Sequence, residues 1–544
     1  MLDEPGHPGH DLVGVPRVVA DAGDGEVGQL PEVPVTDLGG GHAELAANLA
    51  EETAHDLALA FQRAVVGQVE LDPEDADVHG RLTLPAIINS VNITHAVELA
   101  RAGREQAEKD LFGHLRTPSV SALSEHAADC RKAAGWLLQR LQRMGMDARL
   151  VEGDGHPLVF AEWLGRPGKP VLTIYGHYDV QPPDPLELWV TPPFEPDVRE
   201  GRVYARGSVD NKGQHVADLK ALEYAFAAGG PPLNVRVWIE GEEEGGGPVL
   251  PTFVRENADQ LQTDYLFVAD GEFIREGLPS LEAGLRGILY TEIEVRGGAH
   301  DLHSGQFGGL APNPMNTVGH IIAGLKGRDG RVLIPGFYDD VRPPDSDEVK
   351  LWVPIQEEDV LRQTGAPALE GEPEFSLAER RQSRPTLDVH GVRGGFTGEG
   401  TKTVIPAAAV AKVSMRLVPD QDPAKVFAAY GRYVEELATP GTTVQVREIP
   451  ESSKALSCDL KHPGVPAFRR ACLAAFGAEP GITRSGGTLP VMSEVDEILH
   501  PNWLLTGFGL PGDGAHSPNE HMSLEQFHGG TVLVLHLLDE LGKL

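Results

Sequence analysis

The chain has 544 residues, 41% of them apolar, which is enough for two or three folded domains with substantial cores. Its formal charge of -35 excludes a nucleic-acid backbone or an anionic membrane surface as the main partner, because most of the protein surface would repel either. Three widely spaced cysteines, Cys130, Cys458 and Cys472, supply neither a disulfide framework nor a thiolate metal site, and no apolar run approaches the length of a membrane span.

The opening "MLDEPGHPGHDLVG" lacks the basic and apolar parts of a secretion signal, so a cytoplasmic location is the expectation. Residues 1–90 hold 17 Asp or Glu against three Arg and no Lys. Only "HAELAANLAEETAHDLALAFQRAV", residues 42–65, has a helical period, and the rest of the segment reads as poorly ordered. It is read as an acidic extension, as a small partner-binding module, or as a stretch upstream of a mistaken start. The abrupt shift near Val91, where "VNITHAVELARAGREQAEKDLFGHLR" begins a helical pattern, favours the last.

From there helices and strands alternate, the pattern of an α/β domain. "EHAADCRKAAGWLLQRLQRMG" is an amphipathic helix ended by glycine, followed by the strand-like "DARLVE" and "PLVFAEWL". The run "VLTIYGHYDV" reads as a short buried strand that delivers His177 and Asp179 two residues apart, on a shared face. That suits a metal-binding imidazole oriented by a carboxylate, against the plainer reading of a strand leaving the core through polar loop residues. Asp210 precedes a long amphipathic helix in "RGSVDNKGQHVADLKALEYAF", where a helix cap is the alternative to a ligand. Glu242, Glu243 and Glu244 follow the apolar "VRVWI", and taken alone they are a solvated charge run. Asp270 closes "DYLFVAD", and His516 lies in a loop after "WLLTGFG". Ligands of open α/β sheets gather beyond the carboxyl ends of strands, which makes these positions candidates for one site. Imidazole and carboxylate donors without thiolate suit zinc, manganese or cobalt, and two ions about 3.5–4 Å apart can share one carboxylate.

A second region begins with the alternating strand "ILYTEIEVRGG" and leads to a helix near Asn313; "TVIPAAAVAKVSMRLVP" and "DPAKVFAAYGRYVEELA" repeat that order.

In order and spacing, "GHYDVQP", "RGSVDNKG", "EGEEEGGG", "DLHSGQFGG", "GEGTKTVIP" and "GDGAHSPNE" resemble the dinuclear metallopeptidase family that contains carnosinase and cytosolic nonspecific dipeptidase, with acetylornithine deacetylase and succinyl-diaminopimelate desuccinylase as more distant members. The resemblance covers roughly residues 95–544. It implies an α/β phosphorylase/hydrolase-like catalytic domain, a mixed sheet flanked by helices, in two parts at 91–287 and 453–544, with an inserted α+β lid and dimerisation domain at 288–452. It further implies two divalent metal ions, zinc first and manganese or cobalt as alternatives. His177, Asp210 and Asp270 would bind one ion and Asp210, Glu244 and His516 the other. Asp179 would orient His177, and Glu243 would be the general base acting on a metal-bridged water. His303 would stabilise the oxyanion in the partner subunit of a homodimer. Arg416 would bind the substrate carboxylate, with Thr403 and Thr488 as further substrate contacts. "EEEGGGPVL" departs from the commoner Glu-Glu-Ser-Gly pattern, and Thr488 stands where relatives often carry Ser. The activity implied is hydrolysis of dipeptides or short peptides. N-acyl amino acid hydrolysis is the alternative, and a non-catalytic binding protein of the same fold is disfavoured by the complete ligand set.

Overall fold

The computed structural model describes residues 92–449 and 452–544, so the expected helix at 42–65 and the acidic segment lie outside the described residues. The helical pattern that starts near Val91 forms two helices, Ile93–Ala102 and Arg104–Leu115, rather than one. They meet at Gly103, where a Cβ would fall 2.3 Å from the Tyr224 hydroxyl.

The strands follow in chain order: β1 (Asp147–Val151), β2 (Leu158–Trp163), β3 (Val171–His177), a short pair β4 (Asp197–Arg199) and β5 (Arg202–Tyr204), β6 (Asn234–Glu240), β7 (Tyr265–Ala269) and β8 (Ser280–Leu285). Then come β9 (Gly287–Arg296), β10 (Leu302–His303), β11 (Thr386–Gly394), β12 (Val404–Ile405), β13 (Ala408–Leu417) and β14 (Thr443–Glu448). β15 (Leu456–Ser457), β16 (Gly481–Ser485), β17 (Asn502–Thr506) and β18 (His521–Ser523) complete the set.

The main sheet is mixed, in the order β1-β2-β6-β3-β7-β17-β8-β15, with β16 beside β8. Its centre, β6, β3, β7 and β17, is parallel. Central parallel strands are covered on both faces, which explains why β3, β6 and β7 read as apolar runs rather than alternations. Strands from both sides of residues 287–448 build this sheet. The helix Lys212–Ala227 departs from the amphipathic expectation. It packs between β3 and the helices Ile93–Ala102, Arg104–Leu115 and Leu524–Gly542. Lys212, Gln214, His215, Asp218 and Lys220 are therefore buried with its apolar residues.

Residues 287–448 form a second, antiparallel sheet ordered β11-β13-β9-β14, carrying the helices Pro314–Leu325 and Pro423–Leu437 on one face. β9 alternates buried and half-buried residues as a sheet with one covered face must. Asn313 and Asp422 cap the two helices, each followed by a proline in the first turn. Between them lie the short helices Ser346–Val349, Glu357–Thr364 and Leu377–Gln382, the last packed against β16 of the main sheet. Glu348 of the first forms a bidentate ion pair with Arg484 of β16.

Candidate dinuclear metal centre

Three parallel strands end at one edge of the main sheet and present their carboxyl ends together. His177 is the last residue of β3, Asp270 follows β7 directly, and Glu243 and Glu244 lie in the turn beyond β6. The two glutamates are therefore separated by a turn rather than by the pleat of a strand, because β6 stops at Glu240. Both of their backbone N–H groups donate to Asp179, which fixes the turn.

His177 Nε2 lies 3.1 Å from Asp210 Oδ1, 3.5 Å from Asp270 Oδ1 and 4.0 Å from Glu243 Oε2. On the other side of Asp210, His516 Nε2 is 2.8 Å from its Oδ2 and 3.2 Å from Glu244 Oε2. The result is two triads, His177–Asp210–Asp270 and Asp210–Glu244–His516, each with donor atoms within 4.8 Å of one another and with Asp210 in common. His516 reaches this position from a backbone with φ of +60°, in the left-handed region.

Asp179 is fully buried and faces His177 Nδ1 at 3.3 Å, and the Asp179 carbonyl faces the same nitrogen at 3.1 Å. Two acceptors at Nδ1 keep the proton there and leave the Nε2 lone pair directed at Asp210 and Asp270. Ser121 Oγ donates to the second oxygen of Asp179 at 2.7 Å. The sequence reading also passed over Asn211 and Glu520. Asn211 donates to Asp270 Oδ1 at 2.7 Å and accepts from the His177 N–H. Glu520, fully buried, accepts from the N–H groups of Gly207, Val209 and Asp210 and from Arg206 at 2.8 Å. Both stand inside the quoted motifs "RGSVDNKG" and "GDGAHSPNE", which is the one signal that marked them.

The charges at the site demand compensation. Among the described residues, no Lys or Arg lies within ion-pair distance of Asp179, Asp210, Glu243, Glu244 or Asp270. Burial raises Glu243 well above the ordinary glutamate value, with Asp270, Glu244 and Asp210 adding to the effect against His177. Burial likewise raises Asp270, to about 6. His177 is lowered by burial but lifted, on balance, well above the ordinary histidine value by Asp270, Asp179 and Asp210. Hydrogen bonds to Asp210 and Glu244 raise His516 to about 10. Five carboxylates around two imidazoles form a donor set that fits divalent cations and is costly to bury without them.

The remaining candidates lie outside the two triads. Arg416 of β13 donates to Thr488 Oγ1 at 2.6 Å, and Thr488 donates to the Arg286 carbonyl, also at 2.6 Å. His303 is exposed, its Nδ1 accepting from Gly305 N–H, and it pairs through β10 with Val404 of β12. Thr403 is its neighbour, accepting from the Ser304 N–H through its carbonyl. The fold thus brings seven residues together at the centre, sets Arg416 and Thr488 beside it, with Thr488 lining one small cavity together with Asp270, and leaves His303 and Thr403 apart. Glu242, read as part of a solvated run, is buried, with its carboxylate against Gly155 and Gly247 and accepting from Val249 N–H.

Comparison with known proteins adds an independent line. A family model described as peptidase family M20/M25/M40 matches residues 173–540. The human Beta-Ala-His dipeptidase is 31% identical over 430 residues, covering 74% of this chain and 83% of its own. The Cys-Gly metallodipeptidase dug1 of Schizosaccharomyces pombe is 32% identical over 454 residues, covering 78% of this chain and 93% of its own. Among solved structures, the M20 family metallo-carboxypeptidase Sso-CP2 from Sulfolobus solfataricus superposes with a TM-score of 0.74 at 31% identity, over 81% of this chain and all of that one.

Proposed function

Because the chain belongs to peptidase family M20/M25/M40, we propose that it is a metal-dependent hydrolase of dipeptides or other short peptides. The observation that carries this reading is the pair of ligand triads sharing Asp210, with Glu243 beside them. His177, Asp210 and Asp270 would hold one ion and Asp210, Glu244 and His516 the other. Zinc is the first choice for this donor set, with manganese and cobalt next. When bound, the ions supply Lewis-acid polarisation of the scissile carbonyl and lower the pKa of the attacking water.

The protein's own groups do the rest. Glu243, half-buried in a turn among carboxylates, takes the proton from the attacking water and passes it to the departing amine. Asp179 fixes the tautomer of His177, and Asn211 and Glu520 hold Asp270 and the Asp210 backbone in place. Arg416 offers paired guanidinium donors to the free carboxylate of the substrate, with Thr488 positioning it. Residues 288–452 are taken as lid and dimerisation domain between the catalytic parts 91–287 and 453–544. In a homodimer, His303 serves the partner's site as an oxyanion donor; its exposure, away from the centre of its own chain, supports that role. A cytoplasmic location accords with three buried, free cysteines.

The test is hydrolysis by purified, zinc- or manganese-loaded protein of a dipeptide panel beside N-acyl amino acids. Faster turnover of dipeptides with free carboxylates is the expected result. Preference for the acyl substrates moves the protein to the amidohydrolase branch and overturns the dipeptidase reading.

A further inference from the structure

A cavity of about 1050 Å³ opens beside the candidate centre, between the main sheet and the short helices that precede β11. Gly271, the residue after Asp270, forms part of its wall. Glu282, Ser485 and Gly487 line both this cavity and a smaller one that Asp270 itself lines, so the two spaces share a partition.

The charged groups around the large cavity are only partly paired. Arg484 is occupied by Glu348, and Arg362 by Asp359 at 2.6 Å. Arg286 and Arg381 form no ion pair among the described residues; Arg286 Nε donates only to the Gly486 carbonyl, at 3.2 Å. Glu272 and Glu282 also line the cavity, and among the described residues neither lies within ion-pair distance of a guanidinium group. Burial and the neighbouring charges of Arg416 and Arg381 hold Arg286 down to about 10, which places three cationic side chains in one neighbourhood.

Arg286 is also tied to the proposed carboxylate anchor. Its N–H donates to the Gly487 carbonyl, and its own carbonyl accepts from Thr488, the residue that receives the Arg416 hydrogen bond. One carboxylate at Arg416 leaves Arg286 and Arg381 facing the cavity with donors unspent. We propose that this cavity is a subsite for an acidic side chain on the substrate residue that bears the free carboxylate, with Arg286 and Arg381 as the specificity-determining groups. The inference rests on the hydrolase reading above and names its substrate class: dipeptides ending in Glu or Asp.

The experiment compares kcat/KM for Ala-Glu, Ala-Gln and Ala-Lys on the metal-loaded protein and on Arg381→Ala, Arg381→Lys and Arg286→Met variants. The ratio of Ala-Glu to Ala-Gln is the readout, because a general loss of folding or of metal cancels in it. The ratio is expected to be about tenfold or more, the scale of one hydrogen bond to a charged group, to collapse toward one in Arg381→Ala, and to survive in part in Arg381→Lys. A ratio near one in the unaltered protein, a preference for Ala-Lys, or a ratio unmoved by both Arg381→Ala and Arg286→Met overturns the subsite while leaving the dipeptidase reading intact. If N-acyl amino acids alone are turned over, the dipeptidase reading fails. N-acetylglutamate against N-acetylglutamine then decides the subsite by the same ratio.

Discussion

Replacing Asp179 by Asn tests how the centre is held. The carboxylate serves four donors: Oδ1 faces His177 Nδ1 at 3.3 Å and the Glu243 N–H at 3.3 Å, and Oδ2 accepts from the Glu244 N–H at 3.0 Å and from Ser121 Oγ at 2.7 Å. An amide keeps one oxygen and introduces an NH₂ group. Turned toward Ser121, that group opposes the Glu244 N–H, although the serine hydroxyl can rotate to accept. Turned toward His177, it opposes the Nδ1 proton and favours the tautomer that puts the proton on Nε2, the nitrogen directed at Asp210 and Asp270. Either orientation disturbs a proposed metal ligand while preserving shape. Loss of such a supporting contact weakens metal binding by about 10- to 100-fold, or about 1.4–2.7 kcal/mol. The assay is competition for zinc between metal-free protein and a chelator of known affinity. Zinc affinity in Asp179→Asn equal to that of the unaltered protein would refute the tautomer argument.

Glu243→Ala is expected to retain its metal content by elemental analysis and to lose about a hundredfold to ten-thousandfold in kcat; substantial residual turnover would assign the base elsewhere. Glu520→Ala strands the buried Arg206 guanidinium and three backbone N–H groups, and should lower stability by about 3–5 kcal/mol in urea unfolding of the metal-loaded protein. His516, at about 10 in the metal-free protein, titrates above its ordinary 6.5, so its contribution to the metal-free fold is complete below about pH 6.5 and is lost as the pH rises through about 10. Metal binding at pH 8 should therefore release protons, measurable by calorimetry in buffers of different ionisation enthalpy, and His516→Ala should release fewer. His303→Ala should remain dimeric yet inactive, and mixed dimers with Glu243→Ala should regain some activity; confirmed mixed dimers without recovery would count against action across subunits.

The acidic and imidazole residues of the centre were nameable from the sequence because each follows a short apolar strand or sits in a glycine-rich loop, and parallel strands bring their carboxyl ends to one edge. The supporting residues were not. Glu520 looks locally like any loop acid; only the approach of the segment Gly207–Asp210, some 310 residues earlier, makes it an acceptor for three N–H groups. Glu242 misled for the same reason in reverse, since a run of three glutamates carries no local sign that one is buried against two glycines. The helix Lys212–Ala227 carries polar residues that suggested a solvated face, but coverage on more than one side is a tertiary fact.

A single residue joins β8 of the main sheet to β9 of the second. β8 ends at Leu285 and β9 begins at Gly287, so Arg286 is the junction between the sheet that carries the candidate metal ligands and the sheet that carries Arg416. The turn Gly486–Thr488 grips that junction through its N–H, its carbonyl and its guanidinium. On the proposed reading, a carboxylate anchor at Arg416, fixed relative to Asp270 across β17, would set how much substrate can lie beyond the scissile bond. On the same reading, the restriction to short peptides then follows from the position of Arg286 in the fold, because three hydrogen bonds hold the junction to the turn beyond β16.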